Sequence, residues 1–294
     1  MNTYRLLISC PDAHGLVAKV SQFIFEHNGN IKEAHHHLDD QNKRFFMRIE
    51  IESSLISNTL PKGHTEQIRS LDEFKQAFTQ LAEQYQMDWQ MNDSARSKRV
   101  LIMSSKSSHC VADLLHRAHE SEMEAKIVGV LSNHDKLKKI ASWYEVDFKK
   151  VAINKATKAA DMAKMMVAVD AFKPDVIVLA RYMQIIPKAM CDKYSGKIIN
   201  IHHSFLPSFV GANPYQRAAQ RGVKLIGATC HYVTSELDEG PIIEQDVLRV
   251  NHSHSVKEMQ KMGQDIEKIT LAKGLQYHLE DRVLTCNNKT IVFN

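Results

Sequence analysis

The chain has 294 residues, 44% of them hydrophobic and 24% charged, which supports packed cores and excludes an intrinsically disordered polypeptide. That length suggests two domains. A net charge of +4 suits a small anionic ligand but is too weak to imply a nucleic-acid partner, and neither an apolar run of ~18 residues nor a basic-then-apolar leader appears, so no membrane span or signal peptide is expected. The five cysteines (Cys10, Cys110, Cys191, Cys230, Cys286) are scattered and odd in number, without Cys-x-x-Cys spacing. They read as reduced thiols of a cytoplasmic protein rather than a disulfide framework.

Residues 1–91 read as β-α-β-β-α-β. Tyr4 to Ile8 is a short strand, and Leu16, Val20, Phe23 and Ile24 follow at helical spacing, with Asn28-Gly29 as a stop. Ile31 to Leu38 forms a second strand. Phe45, Met47, Ile49 and Ile51 alternate as in a half-buried third one. Ser70-Leu71-Asp72-Glu73 is a capping box ahead of a helix with Phe74, Phe78, Leu81 and Tyr85 on its apolar stripe, and Met87, Trp89 and Met91 alternate in a last strand. This order predicts a ferredoxin-like sandwich.

Residues 92–98 are polar and aperiodic, hence a linker. From 99 to 294 strands and helices alternate: strands at Val100–Met103, Ile127–Leu131 and Val176–Ala180, helices at 109–122, 135–145 and 157–171. Alternation of this kind predicts a doubly wound, mostly parallel sheet with its site outside the strand C-termini. Ser255-Val256-Lys257-Glu258 caps a long final helix with Met259, Met262, Ile266 and Ile269 on the inner face.

Two segments carry chemistry. Lys197-Ile198-Ile199-Asn200-Ile201 is a β-type run that ends at His202, and strand alternation sends Asn200 and His202 to one side. Asp238 lies in the turn-forming stretch Leu237-Asp238-Glu239-Gly240-Pro241. An amide, an imidazole and a carboxylate suffice to attack a carbonyl without a metal. An isolated Asn-x-His at a strand end is more often only a hydrogen-bonded terminus. What reverses this is the whole string: Asn-Ile-His-x-Ser-x-Leu-Pro (200–207), Gly-Ala-Thr-Cys-His-Tyr-Val (227–233) and Leu-Asp-Glu-Gly-Pro-Ile-Ile (237–243) together resemble the folate-dependent formyltransferase superfamily.

That resemblance implies Asn200, His202 and Asp238 as the catalytic three and a formylated tetrahydrofolate as substrate, with no separate cofactor. Asn200 and His202 would hold the oxyanion while Asp238 relays a proton. Val178 to Ile186 resembles the superfamily's folate loop, so Met183, Gln184, Ile185 and Ile186 are expected to wall the pterin pocket, Gln184 standing where members commonly carry arginine. His231 is expected to support the site by hydrogen bonding. The strand-to-helix loop of the first domain, around Pro11-Asp12-Ala13-His14-Gly15-Leu16, resembles an ACT regulatory domain. It implies an amino-acid-type effector at Asp12, His14, Gly15 and Leu16, and pairing into a dimer or tetramer.

Three features point to water as the formyl acceptor. His202-His203-Ser204 replaces the His-Pro-Ser usual in transferases, Ser104 to His109 lacks the Gly-rich phosphate loop of the glycinamide ribonucleotide enzymes, and an ACT-like domain comes first. All three resemble the deformylase branch, which implies hydrolysis of 10-formyltetrahydrofolate in one-carbon and purine metabolism; transfer to an amine such as glycinamide ribonucleotide is the alternative. Two other classes carry less weight. The histidine groups (35–37, 202–203, 252 and 254) match no recognised zinc spacing, and an inert sensing module would be expected to have lost one of the three site residues.

Overall fold

The computed structural model describes residues 2–53, 71–208 and 214–293. The chain divides into two compact units, Met1–Arg96 with Glu280–Cys286 and Ile291–Asn294, and Ser97–Leu279 with Asn287–Thr290. The division at 96/97 falls inside the expected linker. That linker is shorter than its polar composition suggests, because strands run to Asp93 and restart at Lys98. The last residues depart from the sequence expectation, which placed everything after 98 in one domain: most of them group with the first unit.

In the first unit, β1 (Asn2–Pro11), α1 (Leu16–Glu26), β2 (Gly29–Asp39), β3 (Arg44–Ser53), α2 (Leu71–Gln84) and β4 (Asp88–Asp93) build an antiparallel sheet of order β2-β3-β1-β4. This is the ferredoxin-like arrangement. Leu16, Val20 and Ile24 of α1 and Phe74 and Phe78 of α2 pack with Tyr4, Leu6, Ile8, Met47, Ile49 and Ile51 into one core. The stop after α1 comes from Asn28, which takes the left-handed conformation (φ 60°). The α2 capping box begins at Ser70, outside the described residues. β3 is buried on both faces rather than one: Phe46 packs with Cys286 and Phe293, and buried Arg48 bonds Glu33 and the carbonyls of Glu280 and Asp281. The C-terminal segment supplies that second cover, which no local periodicity announces.

The second unit runs β5 (Lys98–Ser104), α3 (His109–His119), β6 (Ala125–Ser132), α4 (Lys138–Trp143), β7 (Phe148–Lys150), α5 (Lys158–Phe172), β8 (Val176–Leu179), α6 (Lys188–Lys193), β9 (Ile198–His202), α7 (Pro214–Arg221), β10 (Leu225–Tyr232), β11 (Ile242–Arg249) and α8 (Val256–Leu279). Its sheet has the order β11-β10-β9-β8-β5-β6-β7. β9 to β7 are parallel, while β10 runs antiparallel to both of its neighbours. Every residue of β8 is buried, as a parallel strand covered on both faces requires. The strand order reverses between β5 and β8, and in open sheets of this kind ligands bind outside the carboxyl ends of the strands at that point. A short terminal hairpin, β12 (Val283–Cys286) and β13 (Lys289–Val292), closes the chain.

The Ser255/Glu258 capping box of α8 is formed reciprocally, with Ser255 N–H and Oγ–H both donating to Glu258 at 2.7 Å and Glu258 N–H to Ser255 Oγ at 3.3 Å. The buried face of α8 keeps Met259 and Ile266 of the expected stripe but is rotated away from its end. Ile269 is exposed, and Gly263, Glu267, Thr270, Leu271 and Gly274 face inward with Met259 and Ile266. Small and polar residues take that face because two neighbours press on it: a Cβ on Gly263 would lie 2.0 Å from the Tyr215 hydroxyl, and one on Gly274 2.5 Å from Cys230 Sγ.

Candidate active site

β9 delivers Asn200 and His202 to one side of its carboxyl end, and the antiparallel register sets His231 of β10 opposite Asn200. Asp238 sits in the loop after β10 with left-handed backbone (φ 58°), a conformation Asp tolerates better than most residues. Its carboxylate Oδ1 lies 3.2 Å from His202 Nδ1 and 3.9 Å from His231 Nε2. The structure therefore brings Asn200, His202, Asp238 and His231 together, with His202 and His231 almost wholly buried.

Hydrogen-bond partners fix the roles of the ring nitrogens. His231 Nδ1 is 2.9 Å from the Tyr232 carbonyl, an obligate acceptor, so Nδ1 carries the hydrogen and Nε2 is a lone pair. That lone pair accepts one N–H of Asn200 at 3.1 Å. Burial above all holds His231 below the ordinary histidine value and hence neutral, so its 3.9 Å approach to Asp238 is not an ion pair. The second Asn200 N–H is left for another acceptor. On His202, Nδ1 faces Asp238 and Nε2 is buried without a partner among the described residues, and the residue itself is part of the lining of a cavity of ~630 Å³. Burial disfavours the Asp238 anion, but the hydrogen bond and electrostatic attraction of His202 are the main opposing causes and hold its pKa low. The residue presented as a proton relay is thus a carboxylate.

Met183, Gln184, Ile185 and Ile186 all line the same cavity. Met183 and Ile185 are exposed at 59% each, as residues of an open wall are, whereas Ile186 is mostly buried in the core. The wall is pinned by Met183 N–H donating to Ser105 Oγ at 3.0 Å. The loop 234–238 lines the cavity too. Sequence reasoning missed Arg181, His203, Tyr215 and Glu267, which also line it. Arg181 and His203 stood inside quoted motifs, but their spacing carried no signal of direction. Tyr215 and Glu267 come from helices far along the chain, and only the fold joins them.

In the first unit the residues expected to hold an effector divide. Asp12, His14 and Gly15 are exposed, but Leu16 is 3% exposed and belongs to the core, so its side chain is structural. Gly15 is required by its own conformation (φ 81°) rather than by close approach, since a Cβ there would meet nothing within 4 Å. No described helix is long and apolar enough to cross a membrane.

Residues 98–275 match the formyl transferase family. The chain is 44% identical to the formyltetrahydrofolate deformylase of Bacillus subtilis over 99% of its own length and 93% of the relative's. It is similar over its whole length, covering 95% of that chain, to a solved formyltetrahydrofolate deformylase from Pseudomonas syringae (52% identity, TM-score 0.93). A glycinamide ribonucleotide transformylase from Symbiobacterium toebii matches only 67% of this chain, at 25% identity and a TM-score of 0.63, while 95% of that enzyme is covered. Full-length likeness on the one side and partial likeness on the other separate the two branches, and the chain belongs to the formyltetrahydrofolate deformylases of the formyl transferase family.

Proposed function

We propose that the chain hydrolyses 10-formyltetrahydrofolate, with Asn200, His202 and Asp238 as its catalytic residues. The observation that supports the assignment is the unpartnered Nε2 of His202, backed on Nδ1 by Asp238, in a residue that lines the cavity together with Asn200 and its second N–H. With His202 as imidazolium, Nε2–H and the Asn200 N–H converge on the formyl oxygen. They bind it more strongly as an oxyanion than as a carbonyl, which is where a rate enhancement must arise. Asp238 accepts a proton from the attacking water, the new C–O bond forms, and the C–N bond breaks as the proton passes to the folate nitrogen. Formate, a proton and tetrahydrofolate leave. Met183, Gln184, Ile185 and Ile186 would wall the pterin, with Tyr182, buried behind them, shaping the floor.

Asp238→Asn tests this. The amide keeps the shape but cannot take the proton, so kcat should fall by roughly 10²–10⁴ with folate binding retained. The assay follows formate and tetrahydrofolate release with no amine acceptor present. A kcat within tenfold of the parent would remove Asp238 from the chemistry, and turnover that requires an added amine would make the enzyme a transferase.

We read the first unit as an ACT-type regulatory domain, with the exposed loop Asp12 to Gly15 as the effector site for an amino acid. Turnover unmoved by a panel of amino acids would reject that reading. Pairing through this unit makes the protein a dimer or tetramer, which sedimentation of a lone monomer would refute. All five cysteines are free and buried, as suits the reducing cytoplasm; disulfides in chain purified from cells under alkylation would count against it.

A further inference from the structure

Three imidazoles, those of His202, His231 and His203, act on the charge of Asp238. Two of them are committed. His202 gives Nδ1 to Asp238 and its Nε2 is closed to solvent, while His231 spends Nδ1 on the Tyr232 carbonyl and Nε2 on Asn200. His203 differs. It lines the cavity and is only part-buried, and neither of its ring nitrogens has a hydrogen-bond partner among the described residues. Nor is either nitrogen closed to solvent, in contrast to Nε2 of His202.

Aromatic neighbours fix this ring. It stacks on His202 with centroids 5.2 Å apart, and the Tyr215 ring lies 6.1 Å away at a 36° tilt. Tyr215 is itself anchored, donating its hydroxyl hydrogen to Oε1 of buried Glu267 at 2.8 Å. A ring held by stacking keeps its edge, where both nitrogens lie, for a ligand. Burial and the charges of Arg181 and His202 push His203 down to about 3, against the opposing pull of Glu267 and Asp238. The ring is therefore neutral near neutral pH, with one nitrogen a donor and the other a lone pair.

Hydrolysis needs an oriented water. A water bonded to Asp238 alone is free to turn about that bond. A second acceptor holds its other hydrogen and leaves an oxygen lone pair to aim at the formyl carbon. Building on the deformylase reading, we propose that His203 is that second acceptor, a water-positioning residue whose ring lone pair holds the nucleophilic water against Asp238. The water oxygen bonds to the formyl carbon. The proton on its Asp238 side passes to the carboxylate and on to the folate nitrogen, and the C–N bond breaks. The proton facing His203 stays on the new hydroxyl and is lost as formate leaves. His203 ends the cycle as it began, neutral.

Three substitutions test this, with formate release followed in the full chain and no amine present. His203→Phe keeps a ring to stack but has no lone pair, so kcat should fall roughly 10–100-fold while KM stays within about twofold. His203→Asn sets an amide acceptor near the place of Nδ1, and His203→Gln near that of Nε2. One of the two should exceed His203→Phe in kcat by about tenfold although both lack the ring, and the better one names the nitrogen that holds the water. A packing role alone predicts the reverse order, with His203→Phe close to the parent and both amides impaired. Urea midpoints show which variants fold; His203→Leu, also apolar and without an acceptor, replaces His203→Phe if that chain does not. A kcat for the apolar variant within about threefold of the parent, or no amide above it, would overturn the proposal. Absence of hydrolysis by the wild type would refute the deformylase reading itself, whereas wild-type hydrolysis that survives in His203→Phe refutes the water assignment alone.

Discussion

Gly263→Ala is a one-methyl change in the middle of a helix, where alanine ordinarily stabilises by about 1 kcal/mol. Here the opposite is expected. The added Cβ would stand 2.0 Å from Tyr215 Oη, 2.4 Å from Cζ and 2.5 Å from Cε1. Carbon contacts settle at about 3.5 Å, so the ring must retreat by about 1.5 Å. Tyr215 is 7% exposed and has little room for that. The retreat breaks its 2.8 Å hydrogen bond to Glu267, a charged buried acceptor, at about 1.5–3 kcal/mol. Overpacking adds about 1–3 kcal/mol. Less the helix gain, a net destabilisation of about 2–5 kcal/mol follows, read as a shift in the urea midpoint at constant slope. The hydrogen-bonded share can be isolated by repeating the substitution in Tyr215→Phe, where Gly263→Ala should cost less by at least 0.5 kcal/mol. A Gly263→Ala protein as stable as its parent would show that α7 and α8 yield freely at this contact, and the packing argument for the inner face of α8 would fail.

Two other outcomes follow from the site. His231→Asn removes the ring lone pair that orients Asn200, so kcat should drop roughly 10–100-fold in steady-state assays while KM changes little; an unchanged kcat would show that Asn200 holds its orientation unaided. Two partly buried histidines also set an acid limit. His203 and His278 are held near 3, His203 by burial and Arg181, His278 by burial and the charges of Lys98 and Lys197. Below 6.5 the unfolded chain takes up protons that the folded one refuses, so stability falls as pH falls. From pH 7.5 to 5.5 each group accounts for about 1.4 kcal/mol and the pair for about 3 kcal/mol. Asp238 and Glu267 have lowered values, so their loss lies in more acidic solution and leaves this window to the histidines. Urea midpoints across the window check the slope, and a His203→Asn protein with the parental slope would refute it.

What was legible in the sequence was whatever a short run of residues decides for itself. Alternation at Phe45 to Ile51 and the spacing of Leu16, Val20 and Ile24 gave the first unit, because one apolar face per element decides a ferredoxin-like sandwich. Asn200 and His202 could be placed on one side of a strand from its two-residue period. Asp238, 36 positions after His202, was reached through the family resemblance rather than from spacing. Short elements with little apolar pattern escaped: three-residue β7, six-residue α6, and α7, whose surface is strongly polar apart from Pro214, Tyr215 and Ala218. The inner face of α8 was legible only at Met259 and Ile266, for a related reason. Hydrophobicity names a buried position only where the neighbour is apolar, and here Tyr215 and Cys230 dictate Gly263 and Gly274, while Tyr215 and His109 dictate Glu267.

The same logic explains why half of the cavity was visible beforehand and half was not. Asn200, His202 and Asp238, the three proposed as catalytic, lie on a strand end and the loop after the neighbouring strand, and their order in the chain survives as a motif. The polar lining residues Ser107, His109, Arg181, Tyr215 and Glu267 come from the β5–α3 connection, α3, the segment after β8, α7 and α8, which are distant in sequence and meet around the point where the parallel sheet reverses its order between β5 and β8. Glu267 illustrates the difference. On its own helix it is one of several charged residues, with nothing in its spacing to set it apart from Asp265 or Glu258. Buried to 1% and surrounded by Tyr215, His109 and Arg181, it is an anion whose desolvation is tolerated only because donors were brought to it from three other elements. A buried charge of that kind is a property of the topology, and reading it required the fold.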